Sequence, residues 1–400
     1  VNDSDPDFTT RLSRWGTHSA KWDLLASRLG DDVIALSVAD MEFQTCSAVV
    51  DAVTLAALHG SYGYTEVFPD FAEAAVGWQR RRHGWAPDAE DVHFFPRVVQ
   101  CVSALVNFIL PSEDGRRVRV ATLSPAYSPL LEVCERSGVE LARIPLADTA
   151  TRARIDWGAL ETALHDADLF LWTNPHNPTG RVWTTEELRR LADILREGSV
   201  LVLSDDIHSD FTRPGRPSYT ALAAIAPDLW ESGRIIQCAS PGKTFTIAGL
   251  EATAICVHGE LGDRLEAGKR RMGLHNPNYF AIPAVLAAWN EGGPWADELL
   301  RVIDRNIRAA LDIFARLLPD AAACDPDGTY LIWVDASAYI EDEEDLARAC
   351  RAARVAVSPG GDFGPGYEQY FRVNTALPRR DLEKGLIRLC SALAHREAES

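Results

Sequence analysis

Three segments of the chain carry side chains whose types and spacing could do chemistry. Lys243 stands in Ser240-Pro-Gly-Lys-Thr-Phe-Thr-Ile-Ala-Gly249, downstream of Asn174-Pro-His-Asn-Pro-Thr-Gly180 and Ser204-Asp-Asp-Ile-His208. They supply an amine able to form a Schiff base, a carboxylate able to pair with a protonated ring nitrogen, and small polar residues suited to phosphate. A lone lysine near a glycine would be a solvated surface group. Three such segments in this order, each ending an apolar run, point instead to pyridoxal phosphate and to an enzyme.

Asp205 follows the apolar run Val-Leu-Val-Leu-Ser, where a carboxylate can keep a pyridine nitrogen protonated and so make the ring an electron sink. Taken alone it would also suit a helix N-cap. His208 could hydrogen-bond the cofactor's phenolic oxygen or Asp205 itself. In the 174–180 segment the prolines and glycine fix a turn, and Asn177 is the better placed amide to donate to the phenolic oxygen, with Asn174 as turn former. Tyr127, in Leu-Ser-Pro-Ala-Tyr-Ser, is placed to lay its ring against the pyridine face. For the phosphate, Pro96-Arg-Val-Val-Gln-Cys-Val-Ser103 precedes an apolar helix expected over Ala104–Leu110, so Val99 and Gln100 become candidate amide donors. The Ser240 hydroxyl is a further candidate, and Arg97 is either a helper or a surface arginine. Arg372 lies inside the apolar run Tyr370-Phe-Arg-Val-Asn-Thr, and a buried guanidinium needs an anion. That anion is either an internal carboxylate or a substrate carboxylate held bidentately.

The elements that must position these groups alternate. Strands are expected at Val118–Leu123, Leu169–Thr173, Val200–Ser204, Ile235–Cys238 and Thr253–Val257. Amphipathic helices lie between them, as at Thr185–Arg196 with Leu188, Leu191, Ile194 and Leu195 on one face. Such alternation predicts an α/β sheet with mostly parallel strands, whose C-terminal ends gather ligand-binding loops. After about residue 285 the pattern changes to a long helix (Trp295–Leu318), short strands near Thr329–Val334 and Arg354–Val357, and helical segments around Leu346 and over Arg380–Glu399. The expected division is therefore an N-terminal segment (1–45) joining a small α+β domain, a large cofactor-binding domain (46–284) and the small domain proper (285–400).

The chain has 400 residues, 46% of them hydrophobic, and 58 acidic against 40 basic side chains for a formal charge of −18. That balance disfavours nucleic acid and anionic membranes, which reward clustered Lys and Arg. No apolar run approaches the roughly 20 residues of a membrane span. The acidic, polar start shows no signal peptide. Eight scattered cysteines without a C-x-x-C pair are expected to be buried and reduced, as in a cytoplasmic protein. A small-molecule substrate is expected, and no metal.

Together these segments resemble fold type I pyridoxal phosphate enzymes, specifically the cystathionine β-lyase (C–S lyase, MalY/PatB-type) branch of the class I/II aminotransferase family. The likeness covers nearly the whole chain. It includes Arg14-Trp-Gly-Thr-His-Ser-Ala-Lys-Trp-Asp23, Val38-Ala-Asp-Met-Glu-Phe43, Tyr62-Gly-Tyr64 and Phe371-Arg-Val-Asn374. It implies a mostly parallel seven-stranded sheet in the large domain and a homodimer with shared active sites. It further implies that Lys243 carries the cofactor and moves the Cα proton, that Asp205 pairs with the pyridinium, and that Asn177 and His208 lie on the phenolate side. Tyr127 would stack on the ring and, with Asn177, face the substrate; Arg372 would hold the substrate carboxylate. Tyr64 would reach the neighbouring subunit's phosphate.

The implied reaction is β-elimination from a cystathionine-like cysteine S-conjugate to thiol, pyruvate and ammonia. Transamination, decarboxylation or oxidative deamination of such a conjugate would use the same residues. Several positions depart from the branch's pattern: Gly242 replaces a serine, Thr246 an asparagine and Ser37 a tryptophan, and Arg97-Val-Val-Gln100 stands for Gly-Val-Val-Pro. Glu251 occupies the place where many related aminotransferases have a phosphate-binding arginine, in keeping with the lyase branch. These departures predict a bulky or specialised S-conjugate. Whether Ser37, Glu42 and Arg97 line the substrate pocket is a question for the structure.

Overall fold

Continuous apolar runs in the middle of the chain become strands covered on both faces, as parallel strands flanked by helices must be. The computed structural model describes residues 6–111 and 115–395. A short strand β1 (Ile34–Ala35) comes first. Then follow β2 (Val92–Phe95), β3 (Arg119–Ser124), β4 (Glu140–Pro145), β5 (Leu169–Thr173), β6 (Leu201–Asp205), β7 (Ile235–Ala239) and β8 (Thr253–Cys256). These seven form one sheet in the order β2-β8-β7-β6-β5-β3-β4. Only β8 runs against its neighbours, so the sheet is mostly parallel. The edge strand β4 is largely exposed and interrupted by the charged Glu140 and Arg143, and β2 is short. Neither has the apolar run that made the central strands readable.

The helix Thr185–Arg196 shows how sequence sets an element here. Thr184 accepts a hydrogen bond from the Glu187 amide (3.2 Å), while the Glu187 carboxylate accepts one from the Thr184 amide (2.7 Å). This reciprocal cap starts the helix. Leu188, Leu191 and Leu195 are then buried against the sheet, each contributing about 1.5–3 kcal/mol.

One expectation needs correcting. The helix anticipated from Ala104 begins at Val98, with Arg97 extended as its N-cap, and continues into wider turns over Leu105–Ile109. Val98, Cys101, Val102 and Leu105 are buried on the sheet, so packing extends the helix back to the end of β2. Val99 and Gln100 thus lie in its first turn rather than ahead of it.

The remaining strands are β9 (Ala322–Ala323), β10 (Leu331–Asp335), β11 (Val355–Ala356), β12 (Ser358–Pro359) and β13 (Tyr370–Asn374). A second, antiparallel sheet has the order β12-β13-β10-β9, while β1 pairs in parallel with β11. The long helix Gly293–Leu317 buries Leu299, Ile303, Ile307, Ala310 and Phe314, one stripe at helical spacing. It packs against the helix Arg379–Ala394. The expected continuation to Glu399 and the polar start at 1–5 fall outside the described residues. No helix among the described residues is long and apolar enough to cross a membrane.

Candidate active site

The three motif segments emerge side by side because their strands are in register: Thr173 is opposite Asp205, and Asp205 opposite Cys238. β5 delivers the 174–180 turn, β6 delivers Asp205 and His208, and β7 delivers Ser240 and Lys243. From the end of β3 comes Tyr127, N-cap of the helix Ser128–Arg136.

Asp205 is buried, and its carboxyl is pushed up to about 6. Burial is the cause, opposed by a weak hydrogen bond from the Ile207 amide and by the Lys243 charge. The next carboxyl, Asp206, is buried too and held well above its ordinary range by burial, hydrogen-bonded by Ser204 (2.8 Å) and by Gln237. Lys243 shifts the other way, down to about 8, through burial of its amine first and then the Arg372 charge. Its Nζ donates to the Ala39 carbonyl at 2.8 Å.

Arg372 lies on β13, opposite Trp333 and Ser358. It is buried, donates to Asn177 Oδ1 (2.8 Å) and Ser358 Oγ (3.3 Å), and lies over the Phe363 ring. No carboxylate stands within ion-pair distance of it among the described residues, so the internal salt bridge open at the level of sequence is not formed. Because Asn177 turns its carbonyl oxygen to Arg372, its amide hydrogens face elsewhere. Asn174 is a turn former, accepting from the Trp183 amide at 3.2 Å. His208 is buried against Tyr330 and Phe211, with neither ring nitrogen partnered. Burial, then the charges of Lys243 and Arg372, hold it well below the usual histidine range, so it is neutral. It makes no hydrogen bond to Asp205, which was one of its two expected partners.

Tyr127 is close enough to Asp205 for that charge, after burial, to raise its hydroxyl. Gln100 in the first helical turn has a buried, unpartnered Oε1. Ser240 does not present a free hydroxyl: Oγ donates to the Ala252 carbonyl (2.7 Å) and accepts from the Gly242 amide (3.1 Å), capping the helix Pro241–Thr244. Arg97 pairs at the surface with Glu251 at 2.5 Å. Tyr64 is 99% exposed, far from the other candidates in burial. Ser37 is buried with an unpartnered hydroxyl. Glu42 does not line a pocket at all: its side chain has no accessible surface and faces Lys21 and Trp22.

Sequence reasoning missed Tyr330, whose hydroxyl donates to the same Ala39 carbonyl that holds Lys243 (3.0 Å). It also missed Asp210, which accepts from Thr244 next to the lysine (2.6 Å) and from Trp78 (3.2 Å) and lies 3.0 Å from His83. An isolated tyrosine before a strand, or an aspartate after one, carries no local signal of such contacts.

The residues fit a ligand with a cationic ring nitrogen and several polar substituents. Among the described residues, buried Asp205 has Lys243 as its neighbouring cation, and Arg372 has no carboxylate within ion-pair distance, Asp362 acting on it only from further off. Both His208 nitrogens, Gln100 Oε1, Thr246 Oγ1 and Ser37 Oγ are buried without a partner. Residues 31–389 match the family model for aminotransferase class I and II. The chain belongs to that family. Within it, the chain is 37% identical over 393 residues to cystathionine β-lyase PatB of Bacillus subtilis, spanning 97% of this chain and all of that one. Protein MalY of Escherichia coli is 31% identical, over 97% of this chain and 98% of its own. Among solved structures, cystalysin from Treponema denticola, which contains pyridoxal 5'-phosphate, superposes with a TM-score of 0.90 at 28% identity, covering 98% and 99% of the two chains. The class I and II aminotransferase fold seen here is thus the fold type I architecture.

Proposed function

We propose that the protein is a pyridoxal phosphate-dependent C–S β-lyase that cleaves an L-cysteine S-conjugate of the cystathionine type to thiol, pyruvate and ammonia. The observation that carries this reading is Arg372, buried without an ion-paired carboxylate among the described residues and acting, like Asp205, on Lys243, in a chain 37% identical to a cystathionine β-lyase. The bound cofactor supplies an electron sink for the charge left at the substrate Cα. Arg372 holds the substrate carboxylate through two parallel N–H donors. Lys243, whose amine titrates near 8, is part-neutral at physiological pH and can take the Cα proton. Asp205 would keep the ring nitrogen protonated, Asn177 Nδ2 and neutral His208 would address the phenolic oxygen, and Tyr127 would hold the ring and face the substrate. The first-turn amides of Val99 and Gln100 take the phosphate, since the first N–H groups of a helix have no partner within it. Ser240 orients the lysine turn through its cap rather than binding phosphate directly, and Arg97, tethered by Glu251, adds positive charge at the phosphate end.

Product analysis of the purified protein with pyridoxal phosphate and L-cystathionine or another S-alkyl-cysteine tests the reaction. Pyruvate, ammonia and free thiol together support β-elimination. A sulfur-bearing keto acid would replace it by transamination or oxidative deamination, and carbon dioxide, alone or with an aldehyde, would replace it by decarboxylation or decarboxylative oxidative deamination. Arg372→Lys keeps the charge but loses the planar fork, so kcat/KM for an S-alkyl-cysteine should fall by about 10–100-fold, mostly through KM. An unchanged KM would remove Arg372 from carboxylate binding.

The active unit is a homodimer in this reading. Leu55, Leu58, Tyr62, Tyr64 and Phe68 are exposed in one stretch, and the Tyr62 ring packs edge-on to Tyr279 and tilted against Phe280. An apolar surface of that kind marks a protein contact, and Tyr64 sits in it, suited to reach across to a partner's phosphate. Co-refolding Tyr64→Ala with Lys243→Ala chains in equal amounts tests this. Each inactive variant supplies what the other lacks, so about a quarter of the sites should regain activity if sites are shared across a two-fold interface. No recovery would place Tyr64 outside the partner's site.

A further inference from the structure

Residues 36–42 cross the site with their carbonyls captured one after another. The Leu36 carbonyl accepts from the Asn374 amide, and those of Val38 and Asp40 accept from Asn374 Nδ2, each at 2.8 Å. Asp40 O also accepts from Lys21 Nζ at 2.9 Å. Between them, the Ala39 carbonyl holds Lys243 Nζ (2.8 Å) and the Tyr330 hydroxyl (3.0 Å). Val38 has a φ of 56°, a left-handed conformation that a β-branched residue adopts only where its surroundings over-determine it.

Behind this strap lies an ion pair shut away from water. Lys21 Nζ and Glu42 Oε1 are 2.7 Å apart, with side chains 1% and 0% exposed. Trp22 Nε1 donates to both Glu42 oxygens (3.1 and 3.0 Å), and Arg14 closes the network 2.7 Å from Asp40 and 3.8 Å from Glu42. Such a pair is a poor source of stability, because desolvation offsets the attraction. What it can do is fix geometry.

We propose that Lys21 and Glu42 are positioning residues for Lys243. Their buried pair, with Arg14 and Trp22, locks the strap so that the Ala39 carbonyl holds the lysine amine where it exchanges the Cα proton. The inference rests on the reading of Lys243 as the base. The charged and titratable groups facing that amine are Asp40, Asp205, Arg372, Arg97 and His208. Of these, only Asp40 belongs to the strap. Asp40 and the Ala39 carbonyl both favour the ammonium form, so a loosened strap should lower the lysine's pKa.

The test is the double variant Lys21→Met/Glu42→Gln, which removes both charges yet leaves Trp22 an acceptor. Two quantities are read: the pH dependence of Lys243 acylation in the cofactor-free protein, by competitive labelling and peptide mass spectrometry, and kcat on S-alkyl-cysteine. We expect the labelling midpoint to fall by about half a unit or more. We also expect kcat to fall by about tenfold or more with KM little changed, because small misplacements of a reacting group are costly. A midpoint and kcat both like the wild type would overturn the proposal. If the double variant does not fold, Glu42→Asp retracts the carboxylate while keeping its charge, and must move the midpoint in the same direction. A shifted midpoint in a protein whose wild type cleaves no cysteine S-conjugate would uphold the positioning role and sink the lyase reading instead.

Discussion

Lys243→Ala is expected to abolish the visible absorbance of the cofactor-loaded protein and to reduce turnover by about 10³–10⁴-fold or more, the scale of losing a positioned general base together with its covalent anchorage. The protein should still fold. The lysine amine makes one hydrogen bond, to the Ala39 carbonyl, and that carbonyl keeps the Tyr330 hydroxyl as a donor when the lysine is gone. Removing the amine also removes a charge that burial already disfavours, since its titration is lowered to about 8. Absorbance spectra, a melting curve and single-turnover kinetics separate these effects. Retained visible absorbance with retained turnover would move the anchor to another amine. Lys21 and Lys269 are poor alternatives, being buried in ion pairs with Glu42 and Glu266.

The parts of this site that were legible in the sequence are those whose chemistry is local. Asp205 ends a strand built from an apolar run, Lys243 and Asn177 each follow one, and a parallel strand places its C-terminal end at the ligand-binding edge. Arg372 was visible because a guanidinium inside an apolar strand needs an explanation. What could not be read is contact between distant segments. The Ala39 carbonyl, Tyr330 and Lys243 meet although 204 residues separate the first from the last and 291 the first two. Whether Glu42 lines the pocket was open in the sequence, and its partners Lys21 and Trp22 take up its whole side chain. Ser240 looked like a phosphate ligand until its hydroxyl was found capping its own turn. Helix starts were the weakest element reading: Val98 and Val99 have no helical preference of their own, and tertiary packing decides where that helix begins.

Asp205→Asn should separate stability from function. The native carboxyl titrates at about 6 against an ordinary 3.8, so the folded protein holds this proton more tightly than the unfolded chain. The stability tied to the protonated form is therefore complete below pH 3.8 and lost as pH rises through 6. At pH 8 the cofactor-free protein carries a buried carboxylate, a net penalty on the order of 3 kcal/mol with the attraction of the neighbouring Lys243 ammonium already included. An amide of the same shape removes that penalty but buries a neutral polar group in its place, so a net gain on the order of 1–2 kcal/mol is the expected result. The cofactor-free variant should melt above the wild type at pH 8, with the difference closing between pH 6 and 4. In the loaded enzyme the sign reverses. On the reading proposed above the carboxylate there partners the ring nitrogen, and losing a buried charge aimed at the reacting system should lower kcat by about 10²–10³-fold. Melting curves with and without pyridoxal phosphate, taken across that pH range beside steady-state kinetics, measure both halves. A variant that is neither stabilised without cofactor nor slowed with it would mean that Asp205 keeps its proton at neutral pH and serves the fold alone.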